Sequence, residues 1–292
     1  MKIVTRFKLR VARFCLFNHH IIISSHYLII VFCFLPFWLF AQSSSIIILH
    51  TNDTHSRIEP YNDVKKGDVG GILRRNTFIQ KTRRECPNTI VVDAGDFSQG
   101  TPYFNLYKGF PEIELMKMMG YDVVALGNHE FDHGSKALAK RLKLADFKIV
   151  CANYQFKNKK LAKLIQPFTI IEVADKKIGF FGLLRNLNRL VLPGYRDETT
   201  FLDPVAAAQK MVDILKNEEQ CDIIICLSHL GVKVQFPGDI TDRDIAAQVF
   251  GIDFIIGGHS HELTEKPEVI NGVKILQARF NGSYMGKIII GY

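Results

Sequence analysis

Cysteine is sparse in this chain, six in 292 residues, and two of the six, Cys15 and Cys33, fall within the first 41. The other four, Cys86, Cys151, Cys221 and Cys226, are too few to build a disulfide framework over the remaining length. Three of them sit in apolar, strand-like runs, so buried free thiols are the expected state. Internal repeats, low-complexity tracts and long linkers are also lacking. With 47% apolar and 23% charged residues, a disordered or collagen-like polymer is excluded.

Acidic residues are missing altogether from residues 1–41. That stretch instead carries Lys2, Arg6, Lys8, Arg10 and Arg13, then an apolar run from Tyr27 to Phe40, then Ala41-Gln42-Ser43-Ser44-Ser45. A basic start, an apolar stretch and a small residue before polar ones read as a secretory signal peptide over 1–41, cut after Ala41. An uncleaved anchor over 21–41 is the alternative, although Ser24, Ser25 and His26 interrupt the roughly 20 apolar residues that a membrane span wants. Export to the periplasm, the cell surface or the medium is expected. Without the five basic residues of this leader, 32 basic side chains face 29 acidic ones, and the net charge falls from +8 to +3. The basic balance is therefore mostly a property of the leader, and no nucleic acid partner is expected.

Beyond the leader, short continuous apolar runs recur at 45–50, 89–95, 122–128, 147–153, 168–173, 177–184, 221–229, 253–259, 273–278 and 287–292. Continuous rather than alternating runs suit strands buried on both faces. Helical spacing separates them at 70–84, 111–119, 135–145, 204–217 and 241–250, with Asp203 and Thr241 as N-caps of the last two and Pro204 at a first helical position. Strands alternating with helices predict a layered α/β domain over residues 42–292, with helices outside the sheets.

Polar residues gather where these runs end. The clusters are Asp53-Thr54-His55, Gly95-Asp96, Gly127-Asn128-His129-Glu130 with Asp132, Ser228-His229, and Gly258-His259-Ser260-His261. Open α/β sheets place ligands at the C-terminal ends of their strands. After the leader seven histidines remain, and five of them lie in these clusters. Imidazole and carboxylate without thiolate suit zinc, manganese or iron rather than a structural zinc knot. The candidate ligands exceed the needs of one four-coordinate ion, and shared between two ions they fit a two-metal hydrolytic site.

In their order, these blocks resemble the calcineurin-like metallophosphoesterases, whose pattern runs D-x-H, G-D, G-N-H-D/E, H, G-H-x-H. Within that superfamily, TNDTHSRIEP (51–60), GDVGGILRR (67–75), DAGDFSQGTPYFNLYKG (93–109), ALGNHEFDHG (125–134) and IIGGHSHE (255–262) are most similar to the catalytic domain of secreted 5′-nucleotidases and UDP-sugar hydrolases. The resemblance implies a four-layer α/β-β/α sandwich. It implies two divalent ions, zinc or manganese, with Asp53, His55 and His261 on the first, Asp96 between them, and Asn128, His229 and His259 on the second. His129 would face the substrate phosphate together with Asn128, with Asp132 orienting the imidazole. The implied reaction is in-line attack by a metal-bridging hydroxide on a phosphomonoester, a 5′-nucleotide or a related small phosphate ester.

Two-domain members of that family carry a C-terminal domain that grips the nucleoside. The present sequence reaches Tyr292 on what reads as the catalytic domain's final strand, so no such domain is expected within 42–292. A separately encoded C-terminal-domain protein is the partner this suggests. The competing functions are a phosphodiesterase or nuclease on the same centre and a non-catalytic metal-binding surface module. His129 and Asp132 speak against the module, which could lose both without losing a metal ligand. Plainer roles are expected for His50 (structural), His133 (a solvated loop), Glu130 (orienting its corner), and Lys157, Lys159, Lys160 and Lys163 (a solvated face). Arg185, Asn186, Asn188 and Arg189 follow a predicted strand, where they form either a loop overhanging the site or plain surface.

Overall fold

The structure, a computed structural model, describes residues 45–291. The leader read over 1–41, with its alternative anchor at 21–41, lies outside them. Among the described residues no helix is long and apolar enough to cross a membrane. The strands are β1 (Ser45–Thr51), β2 (Pro60–Asp63), β3 (Gly67–Gly70), β4 (Thr89–Asp93), β5 (Val123–Ala125), β6 (Lys148–Val150), β7 (Tyr154–Phe156), β8 (Ile165–Gln166), β9 (Phe168–Val173), β10 (Lys176–Leu184), β11 (Thr199–Phe201), β12 (Ile223–His229), β13 (Phe254–Gly257), β14 (Glu268–Ile270), β15 (Val273–Leu276) and β16 (Gly286–Gly291).

Side chains alternate across a strand, so an unbroken apolar run must cover both of its faces. Strand β1 does this: Ile46 and Ile48 enter one apolar layer, while Ile47 and Leu49 enter another. The shared middle layer joins Ile46, Ile48, Val92 and Val123 to Phe180, Ile225, Leu227 and Ile256, which come from a second sheet. Outside the first sheet, Ile47, Leu49 and Val91 meet Ile79, Ile113 and Leu138 of the flanking helices. Outside the second, Phe181, Cys226 and Ile255 meet Met211, Val212 and Ile245. The result is a four-layer α/β-β/α sandwich.

The first sheet runs β16-β1-β4-β5-β6-β8 and the second β14-β15-β13-β12-β10-β9. Strands β1, β4, β5, β6 and β8 are mutually parallel, as are β10, β12, β13 and β15. Antiparallel strands close the edges: β16 in the first sheet, β14 and β9 in the second. Register brings Thr51 beside Asp93 and Leu184 beside His229, so neighbouring strands end together and their following loops share one rim.

The caps at the last two helices behave as their residue types dictate. Asp203 accepts from the Ala206 N–H, and Thr241 forms a capping box with Asp244. The predicted helix 204–217 is α-helical over Pro204–Asp213 and then widens into a π-turn over Ile214–Glu218. Cys86, Cys151 and Cys226 are buried thiols, and Cys221 is a half-buried one. His50 is buried in β1, and burial pushes its pKa down to about 4, which keeps it neutral. The lysines at 157, 159, 160 and 163 are exposed around the short helix Lys159–Ala162.

Candidate metal centre

Asp53 and His55 follow β1, Asp96 follows β4, and Asn128 follows β5; His229 ends β12, and His259 and His261 follow β13. Five of these seven, Asp53, His55, Asp96, His259 and His261, have left-handed backbone, with φ between 47° and 67°. Non-glycine residues adopt that region at a cost of about 1–2 kcal/mol each, and such conformations concentrate at functional sites. Backbone hydrogen bonds between the loops hold them there. Asp53 N donates to the Gly95 carbonyl at 2.9 Å, His55 N to the Asp96 carbonyl at 3.0 Å, and Asn281 N to the Asp53 carbonyl at 2.7 Å. The turn at each position swings residues two apart in sequence, 53 with 55 and 259 with 261, toward a common point.

The side chains converge in three overlapping groups: Asp53, His55 and His261; His55, Asp96 and His129; Asp96, His229 and His259. His55 Nε2 lies 3.1 Å from His261 Nε2, and Asp53 Oδ1 lies 3.4 Å from the same His261 nitrogen. His229 Nε2 lies 3.0 Å from Asp96 Oδ2, and His259 Nδ1 lies 3.1 Å from Asn128 Oδ1. Outer contacts fix which ring atoms point inward. His229 Nδ1 donates to the Ala94 carbonyl at 2.7 Å, which leaves Nε2 for the centre, and His259 Nε2 meets Gln235 Oε1 at 3.1 Å, which leaves Nδ1. Gly127 permits the tight approach of two loops, since a Cβ there would come within 2.1 Å of Asp96 Oδ1.

The field of the cluster calls for positive charge. Burial opposes ionisation of Asp96, yet the His229, His129 and His55 imidazoles hold its carboxyl well below the usual carboxylate range. Burial likewise opposes a charge on His229, but the Asp96 and Asp53 carboxylates and the Ala94 carbonyl lift it to about 10. His259 is pushed down to about 3 by burial and by the charge on His229. No lysine or arginine pairs with Asp53 or Asp96 among the described residues. Two buried carboxylates, converging imidazoles and an amide oxygen make a donor set that fits divalent cations.

His129 and Asp132 form a dyad beside this cluster, with His129 Nδ1 donating to Asp132 Oδ2 at 2.8 Å. Burial works against a charge on His129, but the Asp132 hydrogen bond and the Asp96, Asp132 and Glu130 carboxylates push it up to about 9. Glu130 is fully buried and orients its corner: its carboxylate accepts from the backbone N–H groups of Asp96 (3.0 Å), Ser98 (3.0 Å) and Gly127 (2.6 Å). His133 is not a solvated loop residue as expected, because its ring stacks on Phe104 at 5.0 Å and buries its Nε2. Arg185 is neither overhang nor surface: it is buried, paired with Asp239 and donating to the Leu230 carbonyl. Arg189, by contrast, lines the cleft that opens over the ligand cluster, a space of about 550 Å³.

Phe280 and Gln235 complete the surroundings, and nothing in the local sequence marks either. Phe280 stacks on His261 at 4.9 Å, and Gln235 reaches His259 from a loop without a motif.

The family model for calcineurin-like phosphoesterases matches residues 46–263. The 5′-nucleotidase of Rattus norvegicus is 36% identical over 238 residues, covering 78% of this chain and 40% of that protein. The trifunctional nucleotide phosphoesterase YfkN of Bacillus subtilis is 30% identical over 283 residues, covering 85% of this chain and 18% of that protein. Among solved structures, a 5′-nucleotidase precursor from Thermus thermophilus superposes with a TM-score of 0.73 at 33% identity, over 85% of this chain and 51% of its own. The NAD nucleotidase of Haemophilus influenzae gives 0.72 at 28% identity, over 85% and 47%. The chain thus spans about two fifths of the length of the mammalian relatives it matches.

Proposed function

The chain belongs to the calcineurin-like phosphoesterases, and from that premise we propose that it is an exported two-metal phosphomonoesterase acting on 5′-nucleotides or related small phosphate esters. The observation that carries the reading is the overlap of three ligand groups through His55 and Asp96, directly beside the His129–Asp132 dyad. In this reading Asp53, His55 and His261 hold one ion, Asn128, His229 and His259 hold the other, and Asp96 lies between them. Such ions, when bound, supply an activated water at neutral pH and neutralise charge on the phosphoryl oxygens. Zinc and manganese are the proposed pair of candidates, since mixed oxygen and imidazole ligation suits both.

The chain's own residues do the rest. His129, with Nδ1 committed to Asp132, keeps Nε2–H for an oxygen of the phosphoryl group. Asn128 can donate its amide hydrogens to the same group while its Oδ1 serves the centre. Donors fixed before the reaction need no reorganisation as charge develops, the arrangement in which hydrogen bonds accelerate phosphoryl transfer most.

Export rests on the sequence of residues 1–41 alone. Recognition of the nucleoside by a further domain is proposed from the lengths of the relatives, since this chain covers about two fifths of the mammalian ones. The test is phosphate release from 5′-AMP, UDP-glucose, an aryl phosphate and an aryl phosphodiester, each with and without a chelator. Chelator-sensitive release from the monoesters, lost by about a thousandfold or more in Asp96→Asn, is the expected result. Turnover of the aryl phosphate without AMP supports recognition by a further domain. Faster turnover of the diester than of any monoester, or no release with metal bound, sinks the proposal.

A further inference from the structure

A cavity of about 320 Å³ shares no wall residue with the cleft over the ligand cluster. One wall is the start of the helix Ile72–Glu85, with Gly70, Gly71, Arg74, Arg75 and Phe78, and the other is the stretch 282–285 that leads into β16. Among the described residues no carboxylate lines it. Gly71 is the N-cap of that helix and has no side chain to accept from the first-turn N–H groups, and the first turn holds no acidic residue. The positive end of the helix dipole is therefore unbalanced at this wall.

Arg75 is the unusual member of that wall. On the same helix Arg74 pairs with Asp68 and Arg83 with Asp122, whereas Arg75 makes no ion pair among the described residues. Yet Arg75 is only 7% exposed, and its Nε and Nη2 are buried with no hydrogen-bond partner. Tyr121 is within reach of the guanidinium, and the Asp93 carboxyl feels its charge. Glu112 shares with it the wall of a smaller cavity of about 20 Å³, but neither carboxylate comes within ion-pairing distance of Arg75. A buried cation is costly unless an anion or hydrogen-bond acceptors meet it. Gly282 stands against the same guanidinium: a Cβ there would fall 2.1 Å from Nη2, so glycine leaves that nitrogen open toward the cavity. Tyr284, in the same wall, also has a buried hydroxyl without a partner, and the Lys66 ammonium lies 4.4 Å from the centre of its ring.

We propose that Arg75, Arg74 and the N-terminus of the helix Ile72–Glu85 form a binding site for an oxyanion of the sulfate, phosphate or carboxylate kind. The anion sits against Gly282, with the Tyr284 hydroxyl as a further donor. Guanidinium groups and the free N–H groups of a helix N-terminus are the donors that such anions favour. The space exceeds that of one inorganic ion, and Phe78 and Met285 supply apolar wall, so the anionic group belongs to a small organic molecule. The site adjoins a loop that supports the candidate metal centre. Gly282 follows Asn281, whose N–H donates to the Asp53 carbonyl at 2.7 Å, and Phe280, which stacks on His261.

The test is calorimetric titration of sulfate and of benzenesulfonate, an aromatic anion without a hydrolysable ester, into the full-length protein with divalent metal present. Wild type is expected to bind benzenesulfonate saturably and sulfate more weakly. Arg75→Met is expected to weaken both at least tenfold. Arg74→Glu, an exposed substitution that spares the core, is expected to weaken both severalfold, and it keeps the test decisive should Arg75→Met fail to fold. Hydrogen–deuterium exchange locates the anion: amides at 71–75 and 282–285 are expected to gain protection when it binds. Equal affinities for the two anions would still support the site, with a free inorganic ion as its occupant. Absence of saturable binding would overturn it. So would binding that survives both arginine substitutions and protects 53–55 and 259–261, since the anion then sits at the candidate metal centre.

Discussion

Glu130 makes no ion pair among the described residues, yet it joins the two loops that present Asp96 and Asn128. Three buried backbone N–H groups, from Asp96, Ser98 and Gly127, end on its two carboxylate oxygens, and its own carbonyl accepts from Arg141 Nη2 at 2.6 Å. Leaving a buried donor without a partner costs about 1–3 kcal/mol. Glu130→Ala should therefore lower the unfolding free energy of the metal-free protein by about 3 kcal/mol or more. Urea denaturation in the presence of chelator measures this separately from any loss of metal, and a change below about 1 kcal/mol contradicts it. At this scale the ligand types were legible, because five histidines and two aspartates after apolar runs have few other uses. The clasp by Glu130 was legible only as a corner residue. Its donors lie about thirty positions away at Asp96 and Ser98, and only the parallel pairing of β4 with β5 brings them near. Phe280 and Gln235 left no signal, since each reaches its histidine across loops that have no periodicity. His133 was misread because a polar residue in a polar corner looks solvated until Phe104 stacks on it.

At the scale of elements, every long strand was visible as an apolar run, and the errors lie at the ends. The run 122–128 yields a strand only over Val123–Ala125, because beyond Leu126 the chain turns into the corner that carries Asn128 and His129. The hairpin β2–β3 and the long-range pair β7–β11 were invisible, being short and without the apolar runs that mark buried strands. Gly182 was equally silent in sequence, though β10 depends on it. A Cβ at that position would meet the Val150 carbonyl oxygen at 2.1 Å, while Ala152 N donates to the Gly182 carbonyl at 2.7 Å. Here the second sheet touches the first backbone to backbone, closer than any side chain allows. Gly182→Ala should force β10 away from β6 at a cost of about 3 kcal/mol. For a domain of this size the melting temperature would drop by about 6–12 °C. An unchanged melting curve in differential scanning calorimetry would show that the sheets can slide apart freely at this contact.

Across the whole molecule, the decisive feature is that neither sheet holds the candidate metal centre alone. The first supplies Asp53, His55, Asp96 and Asn128 from the loops after β1, β4 and β5, and the second supplies His229, His259 and His261. The sequence showed the blocks in order, but strand order in each sheet could not be read from it, since β16 returns to pair with β1 across the length of the domain. Parallel strands ending in register set both groups of loops on one rim, and Gly258 lets the second group close on the first, since a Cβ there would lie 3.1 Å from both the Ala94 carbonyl oxygen and Asp53 Oδ2. Ions held between these loops, as proposed, would cross-link the two sheets in the folded state only. An ion that binds the native state alone stabilises it by an amount that grows with the logarithm of its free concentration, about 4 kcal/mol at a thousand times its Kd. Added manganese or zinc should therefore raise the melting temperature by about 8–16 °C over chelated protein. In Asp96→Asn most of that shift should disappear, because the residue proposed to lie between the two ions loses its charge. The same metal-dependent rise in wild type and in Asp96→Asn would move the ion elsewhere on the molecule. Loss of the shift in Asp96→Asn would support the proposed binding of ions between the two sheets' loops, where the candidate ligand groups overlap at His55 and Asp96.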